Sequence, residues 1–196
     1  MTAILKNIEN GDIACEASIV ISDNKDAAGL QKAKKFGILT KTVECTDRKQ
    51  FDADVIGLLN LYKVDYVILA GFMRILSHKF VSDFENRILN IHPALLPSFQ
   101  GLNAQKQALD AGVRIAGCTV HFVTDDLDGG PIIMQAAVPV KSNDTVETLS
   151  ERILKKEHRI YSAAIALLVK NKLEIKSGRV IIKDENIDTN QFMIVP

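Results

Sequence analysis

Asp65-Tyr66-Val67-Ile68-Leu69-Ala70-Gly71 is a short, unbroken apolar run closed by a glycine. Its length is that of a strand, and continuous rather than alternating apolarity predicts a strand covered on both faces, as in a parallel sheet. The flanks agree. Upstream, 17–22 reads as a buried strand. A helix follows over 26–36, with Ala27, Leu30 and Ala33 at helical spacing and Gly37 at its C-cap. Residues 40–45 read as a second strand. Asp47 caps a helix through Tyr62, with Phe51, Val55, Leu58 and Leu59 on one face. Downstream, the pattern predicts a short helix over 77–86, a strand over 87–91 and a helix over 101–112. Strands follow over 117–124, where Cys118, Val120 and Phe122 alternate, and over 131–140. The longest helix spans 144–171, and a hairpin over 173–183 turns at Ser177-Gly178. This order implies an α/β fold with a mainly parallel sheet flanked by helices, Rossmann-like, whose ligands lie beyond the carboxyl ends of its strands.

Composition narrows the function. Lys+Arg and Asp+Glu number 24 each among 196 residues, so there is no basic excess for nucleic acid or an anionic membrane. No apolar run approaches the roughly 18 residues that span a bilayer, and Met1-Thr2-Ala3-Ile4-Leu5-Lys6 lacks the order of a signal peptide. Cys15, Cys45 and Cys118 are odd in number and far apart, which reads as three reduced thiols in a cytoplasmic protein.

Four clusters at strand exits or on helices could carry chemistry. The first is Asn90-Ile91-His92-Pro93-Ala94-Leu95-Leu96-Pro97. Period-two geometry sends Asn90 and His92 to one side, an amide donor for an oxyanion beside a proton shuttle. Alone, it equally reads as a polar strand end. Thr124-Asp125-Asp126-Leu127-Asp128-Gly129-Gly130-Pro131 packs three carboxylates into a loop. They could hold a magnesium ion or orient a histidine, although an acidic turn is the simpler reading, and the spacing matches no calcium loop. Gly71-Phe72-Met73-Arg74-Ile75-Leu76 could line a flat pocket with Arg74 meeting an anion, or merely enter a helix. Leu154-Lys155-Lys156-Glu157-His158 could face a ligand or form a solvated helix face. The chain has no dinucleotide fingerprint, P-loop or G-x-S-x-G elbow. Cys118 and His121, three apart on a strand, point to opposite faces and make no local Cys-His pair.

Together with Gly101-Leu102-Asn103-Ala104, Gly117-Cys118-Thr119-Val120-His121-Phe122-Val123 and Glu157-His158-Arg159-Ile160-Tyr161, these clusters resemble the phosphoribosylglycinamide formyltransferase family. The likeness runs over about 1–183, read as one formyltransferase domain, with 184–196 as a C-terminal tail. It implies formyl transfer from 10-formyltetrahydrofolate to the amine of glycinamide ribonucleotide in purine (IMP) biosynthesis. Catalysis is then by His92 as general acid, Asp128 supporting its protonated form and Asn90 steadying the oxyanion. The folate would meet Arg48, Met73, Arg74, Ile75, Leu76, Asn90, Thr124, Asp125, Asp126, Leu127 and Asp128. The ribonucleotide would meet Leu154, Lys155, Lys156 and Glu157. The formyl carbon arrives on the folate, so neither a protein nucleophile nor a metal is required. A monomer or homodimer is expected.

In that family a first strand and a glycine- and serine-rich phosphate loop precede the helix in which this sequence opens. The N-terminal strand and loop are therefore expected to be missing, and poor binding of glycinamide ribonucleotide follows. Two rival readings remain. One is a non-catalytic folate-binding remnant. The other is methionyl-tRNA formyltransferase, which would need an RNA-binding domain and a basic surface.

Overall fold

The structure, a computed structural model, describes residues 1–183; the expected tail, 184–196, lies outside them. The chain divides into two compact units, Met1–Ile88 and a second from Leu89 onward.

The first unit holds α1 (Thr2–Glu9), β1 (Val20–Ser22), α2 (Ala28–Lys35), β2 (Thr40–Thr42), α3 (Arg48–Leu61), β3 (Val67–Ile68) and α4 (His78–Asp83). β1 and β2 pair in parallel, Val20 opposite Thr40, with α2 as the crossover that parallel pairing demands. Asp47 caps α3, its carboxylate accepting from Gln50 N at 2.9 Å, and Ser77 caps α4 by accepting from Phe80 N at 3.3 Å. The buried Asp52 accepts from Ser77 N at 3.0 Å and so ties α3 to the start of α4. Leu30, Ala33, Phe51, Val55, Ile56, Leu59, Phe80, Val81 and Phe84 are among the buried apolar side chains around these helices.

The run 65–71 departs from its expected form. Only Val67–Ile68 is strand, residues 66–69 are half-buried and Ala70 is exposed. Apolar continuity reports what a segment would gain from burial. The cover itself must come from neighbours, and β3 has too little of it for both faces to be closed.

The second unit holds β4 (Ile88–His92), α5 (Ala104–Asp110), β5 (Ile115–Phe122), β6 (Ile132–Pro139), α6 (Val146–Val169), β7 (Leu173–Lys176) and β8 (Arg179–Ile182). β4 pairs antiparallel with β5, and β5 antiparallel with β6 across a loop too short for a crossover. The alternation read in 117–124 is not what is observed. From Ala116 to Phe122 every residue is buried, on both faces. The polar members survive there because they are hydrogen-bonded. The Thr119 hydroxyl accepts from Leu96 N (3.0 Å) and from Gln135 Nε2 (2.9 Å) and donates to Ala94 O (2.7 Å). Thr119 thereby pins the chain just beyond His92 to the middle of the sheet.

α6 starts with a capping box, Thr145 and Thr148 exchanging side chain-to-backbone bonds. Its Tyr161 hydroxyl donates to Leu89 O at 2.9 Å, which fastens the helix to β4. Before its first turn, Asp144 accepts from both terminal nitrogens of Arg152 at 2.7 Å, from Lys141 N at 2.7 Å and from Thr148 Oγ1 at 2.9 Å. The β7–β8 hairpin turns through Ser177 and Gly178, both at positive φ, as a two-residue turn between twisted strands requires. All three cysteines are free thiols. Among the described residues no helix is long and apolar enough to cross a membrane.

Two stability measurements test this account. Thr119→Val keeps the shape but strips partners from Leu96 N, Ala94 O and Gln135, and is expected to cost about 1–3 kcal/mol in urea unfolding. A cost near zero would show the pin to be unimportant. For Asp144, the hydrogen bonds from Arg152, opposed by partial burial and helped by Lys141 and Thr148, hold the carboxyl well below the usual carboxylate range. A depressed folded-state pKa stabilises fully above the unfolded value, about 4, and the benefit fades as pH falls toward the folded value. Asp144→Asn is therefore expected to lose about 1–2 kcal/mol at pH 7 and progressively less below about pH 4. An equal deficit at pH 7 and pH 3 would contradict the assignment.

Candidate active site

Alternation along β4 puts Asn90 and His92 on one face, and the antiparallel register sets them opposite His121 and Thr119 of β5. His92 is buried at 5% exposure, whereas Asn90 is half-buried and open to a ligand. His92 Nε2 lies 2.8 Å from Phe99 O. A carbonyl only accepts, so this nitrogen carries a hydrogen and Nδ1 is the atom that faces Asp128, 3.4 Å from its Oδ2.

Asp128 is brought in by the loop that leaves β5. Its φ is 50°, in the left-handed region, and Gly101 N donates to its Oδ2 at 2.9 Å. Gln100 Nε2 reaches the carbonyls of Leu127 (3.2 Å) and Asp128 (3.4 Å), tying the loop after β4 to the loop after β5. Gly130 is obligatory here, since a Cβ would sit 1.9 Å from Phe122 O. Asp125, Asp126 and Leu127 are exposed on the outer side of the loop. Thr124 Oγ1 is buried and takes no hydrogen bond, which leaves a polar atom facing inward for a ligand to satisfy.

His121, 2% exposed, completes the cluster and was not singled out from the sequence except as a rejected partner for Cys118. Its Nδ1 is 2.8 Å from Phe122 O, its Nε2 3.3 Å from Asn90 Nδ2 and 3.9 Å from Asp128 Oδ1. Burial pushes this imidazole toward the neutral form, with the Phe122 carbonyl and then Asp128 pulling the other way and His92 adding to the push. Only the β4–β5 register could have revealed it, because nothing local to 117–123 points to Asn90.

The structure thus brings Asn90, His92 and Asp128 together. It does not join Leu154, Lys155, Lys156 and Glu157 to them by any hydrogen bond or ion pair among the described contacts. They lie on α6, Leu154 and Lys155 exposed and Lys156 and Glu157 half-buried. Burial raises the Glu157 carboxyl above its ordinary range. Burial, and then the charge of Glu157, raises the thiol of Cys118, whose side chain alternates away from Thr119 and His121.

In the first unit, a cavity of about 280 Å³ is lined by Cys45, Arg48, Phe51, Asp52, Phe72, Arg74 and Ile75. Phe51 and Phe72 stack across it with centroids 6.3 Å apart. Arg48 donates to Leu76 O at 2.7 Å, and Arg74 pairs with Asp23 at 2.6 Å while staying half exposed. Met73 and Ile75 stand largely in solvent, whereas the Leu76 side chain is buried. Of the five residues expected here to hold folate, three line one cavity, Leu76 offers its backbone to it through Arg48, and Met73 is outside it.

A family model described as formyl transferase matches residues 1–165. The chain is 44% identical to the trifunctional purine biosynthetic protein adenosine-3 of Gallus gallus over 187 residues, 93% of this chain but 19% of that protein. It thus spans about a fifth of the length of that relative. It is 41% identical to the phosphoribosylglycinamide formyltransferase of Escherichia coli over 178 residues, which cover 89% of this chain and 84% of that enzyme. The crystal structure of glycinamide ribonucleotide transformylase 1 from Symbiobacterium toebii superposes with a TM-score of 0.92 at 50% identity, covering 93% of this chain and 88% of that one. An α/β fold of the same design, matched in sequence over most of its length, settles the lineage: this chain belongs to the formyl transferase family.

Proposed function

We propose that this chain transfers a formyl group from 10-formyltetrahydrofolate to the amine of glycinamide ribonucleotide, a step of de novo purine biosynthesis. The observation that carries this reading is the convergence of a carboxamide, an imidazole and a carboxylate from β4 and the loop after β5, with His92 Nδ1 3.4 Å from Asp128. Residues 1–183 act as one formyltransferase domain, as a monomer or homodimer. It works in the cytoplasm, with no nucleic acid or membrane as partner.

The chemistry makes specific demands. The amine forms a C–N bond to the formyl carbon, whose oxygen gains negative charge. The C–N bond to the carrier then breaks, one proton leaves the new ammonium, and one reaches the departing nitrogen. The Asn90 amide donates to the oxygen. His92 moves the proton at Nδ1, because Nε2 is committed to Phe99 O. Asp128, fixed by Gly101 N, orients that exchange and balances its positive charge. The carrier supplies the activated one-carbon unit. The stacked Phe51–Phe72 pair with Arg48 and Arg74 suits a flat aromatic ligand bearing carboxylates. Met73, Ile75, Leu76 and Asp125–Leu127 complete the folate contacts, and Leu154–Glu157 meet the ribonucleotide.

Steady-state transfer with glycinamide ribonucleotide and 10-formyltetrahydrofolate tests the roles. His92→Ala is expected to lower kcat about 10²–10⁴-fold, and Asn90→Ala about 10²–10³-fold. Unimpaired kcat in either variant removes that residue from the mechanism. Arg48→Ala is expected to raise KM for the folate at least several-fold, leaving KM for the ribonucleotide within about twofold. The reverse pattern would move Arg48 to the other substrate.

A further inference from the structure

The Asn90 carboxamide has nearly the same shape at both ends, so only its hydrogen-bond partners decide where its nitrogen points. For an oxyanion donor this decides everything, because the oxygen end would repel the developing charge. That partner is His121. Phe122 O can only accept, so the nitrogen 2.8 Å from it, Nδ1, bears a hydrogen. Nε2 is then a bare acceptor, and Asn90 Nδ2 stands 3.3 Å away.

We propose that His121 is a positioning residue: held as the neutral Nδ1–H tautomer, it accepts through Nε2 from Asn90 and fixes the amide with its nitrogen end toward the reacting carbon. This rests on the formyl-transfer reading of Asn90. One amide hydrogen is spent on His121 and the second is left for the oxyanion. Every charged or titratable group facing the ring fits. From β4 come Asn90 and His92, and from the loop after β5 comes Asp128, 3.9 Å from Nε2 and beyond hydrogen-bond range. A proton on Nε2 would face a donor, turn the Asn90 amide over, and draw Asp128 from His92. Near-complete burial acts against that proton.

Two measurements on the full chain decide the matter. In uniformly ¹⁵N-labelled protein at neutral pH, the His121 ring correlations are expected to show a protonated Nδ1 and a bare Nε2. A protonated Nε2 overturns the proposal, and this readout is independent of turnover. In formyl transfer, His121→Leu is expected to lower kcat about 10- to 100-fold, with KM for both substrates within about twofold. His121→Gln, whose amide oxygen can accept from Asn90, is expected to recover most of that loss. Parental kcat in His121→Leu beside an impaired Asn90→Ala would also overturn the proposal. If Asn90→Ala itself turns over normally, it is the formyl-transfer role of Asn90 that fails, and the proposal falls with it.

Discussion

The register between β4 and β5 is the constraint on which the candidate site depends. With Asn90 opposite His121 and His92 opposite Thr119, four polar side chains share one face of the sheet. A slip of one residue would turn Asn90 and His92 to the other face and leave Thr119 and His121 buried against apolar groups. Several features forbid that slip. β5 is packed on both sides, so no solvent face is available to absorb a displaced side chain. Gly117 lets β6 and Leu95 approach where a Cβ would lie 2.1 Å from Ala136 O and 2.7 Å from Leu95 Cδ2. The three bonds to the Thr119 hydroxyl reach the loop after β4 and the neighbouring β6 together, so both are locked to one position along β5.

Around that frame the loops carry strain where the chemistry needs exactness of placement. Phe99 (φ 57°), Asn103 (φ 59°) and Asp128 (φ 50°) adopt left-handed backbone without being glycine, at about 1 kcal/mol or more apiece. Asparagine and aspartate tolerate this region, but phenylalanine does so only under compulsion. The compulsion is visible, since Phe99 presents its carbonyl to His92 Nε2, and Asp128 accepts from Gly101 N two residues later in the same loop. The two loops brace each other through the side chains that form the cluster. In the proposed reaction, a histidine and an aspartate so held need little rearrangement before a proton moves.

Much of this was legible in the sequence wherever the signal is local. Asp47 caps a helix because a short oxygen-bearing side chain before an amphipathic run has one economical use, whereas the Ser77 cap was not read from the sequence. The Ser177-Gly178 turn follows from two positions that must take positive φ. Asn90 and His92 share a face by arithmetic alone. What was not legible depends on partners far away in the chain. The run 65–71 shows apolar character but not the cover it obtains, and β5 looks alternating because Thr119 and His121 read as solvated when they are buried and satisfied. His121 belongs to the cluster through a pairing 31 residues distant, which no window of sequence displays.

Two functional groups two residues apart on one strand lie about 7 Å apart, close enough to interfere with each other. In the proposed reaction, an amide donating to an oxyanion and an imidazole moving a proton would each be spoiled by bonding the other. The structure separates them by giving each its own partners. Asn90 is satisfied by His121, while His92 is satisfied by Phe99 O on one nitrogen and faces Asp128 with the other. Both imidazoles are buried, yet their surroundings differ in kind. His121 meets an amide donor at Nε2, whereas His92 meets the Phe99 carbonyl at Nε2 and faces the Asp128 carboxylate with Nδ1. The separation of the Asn90 amide from the His92 imidazole therefore follows from the hydrogen-bonding character of four neighbouring groups rather than from any difference between the histidines themselves.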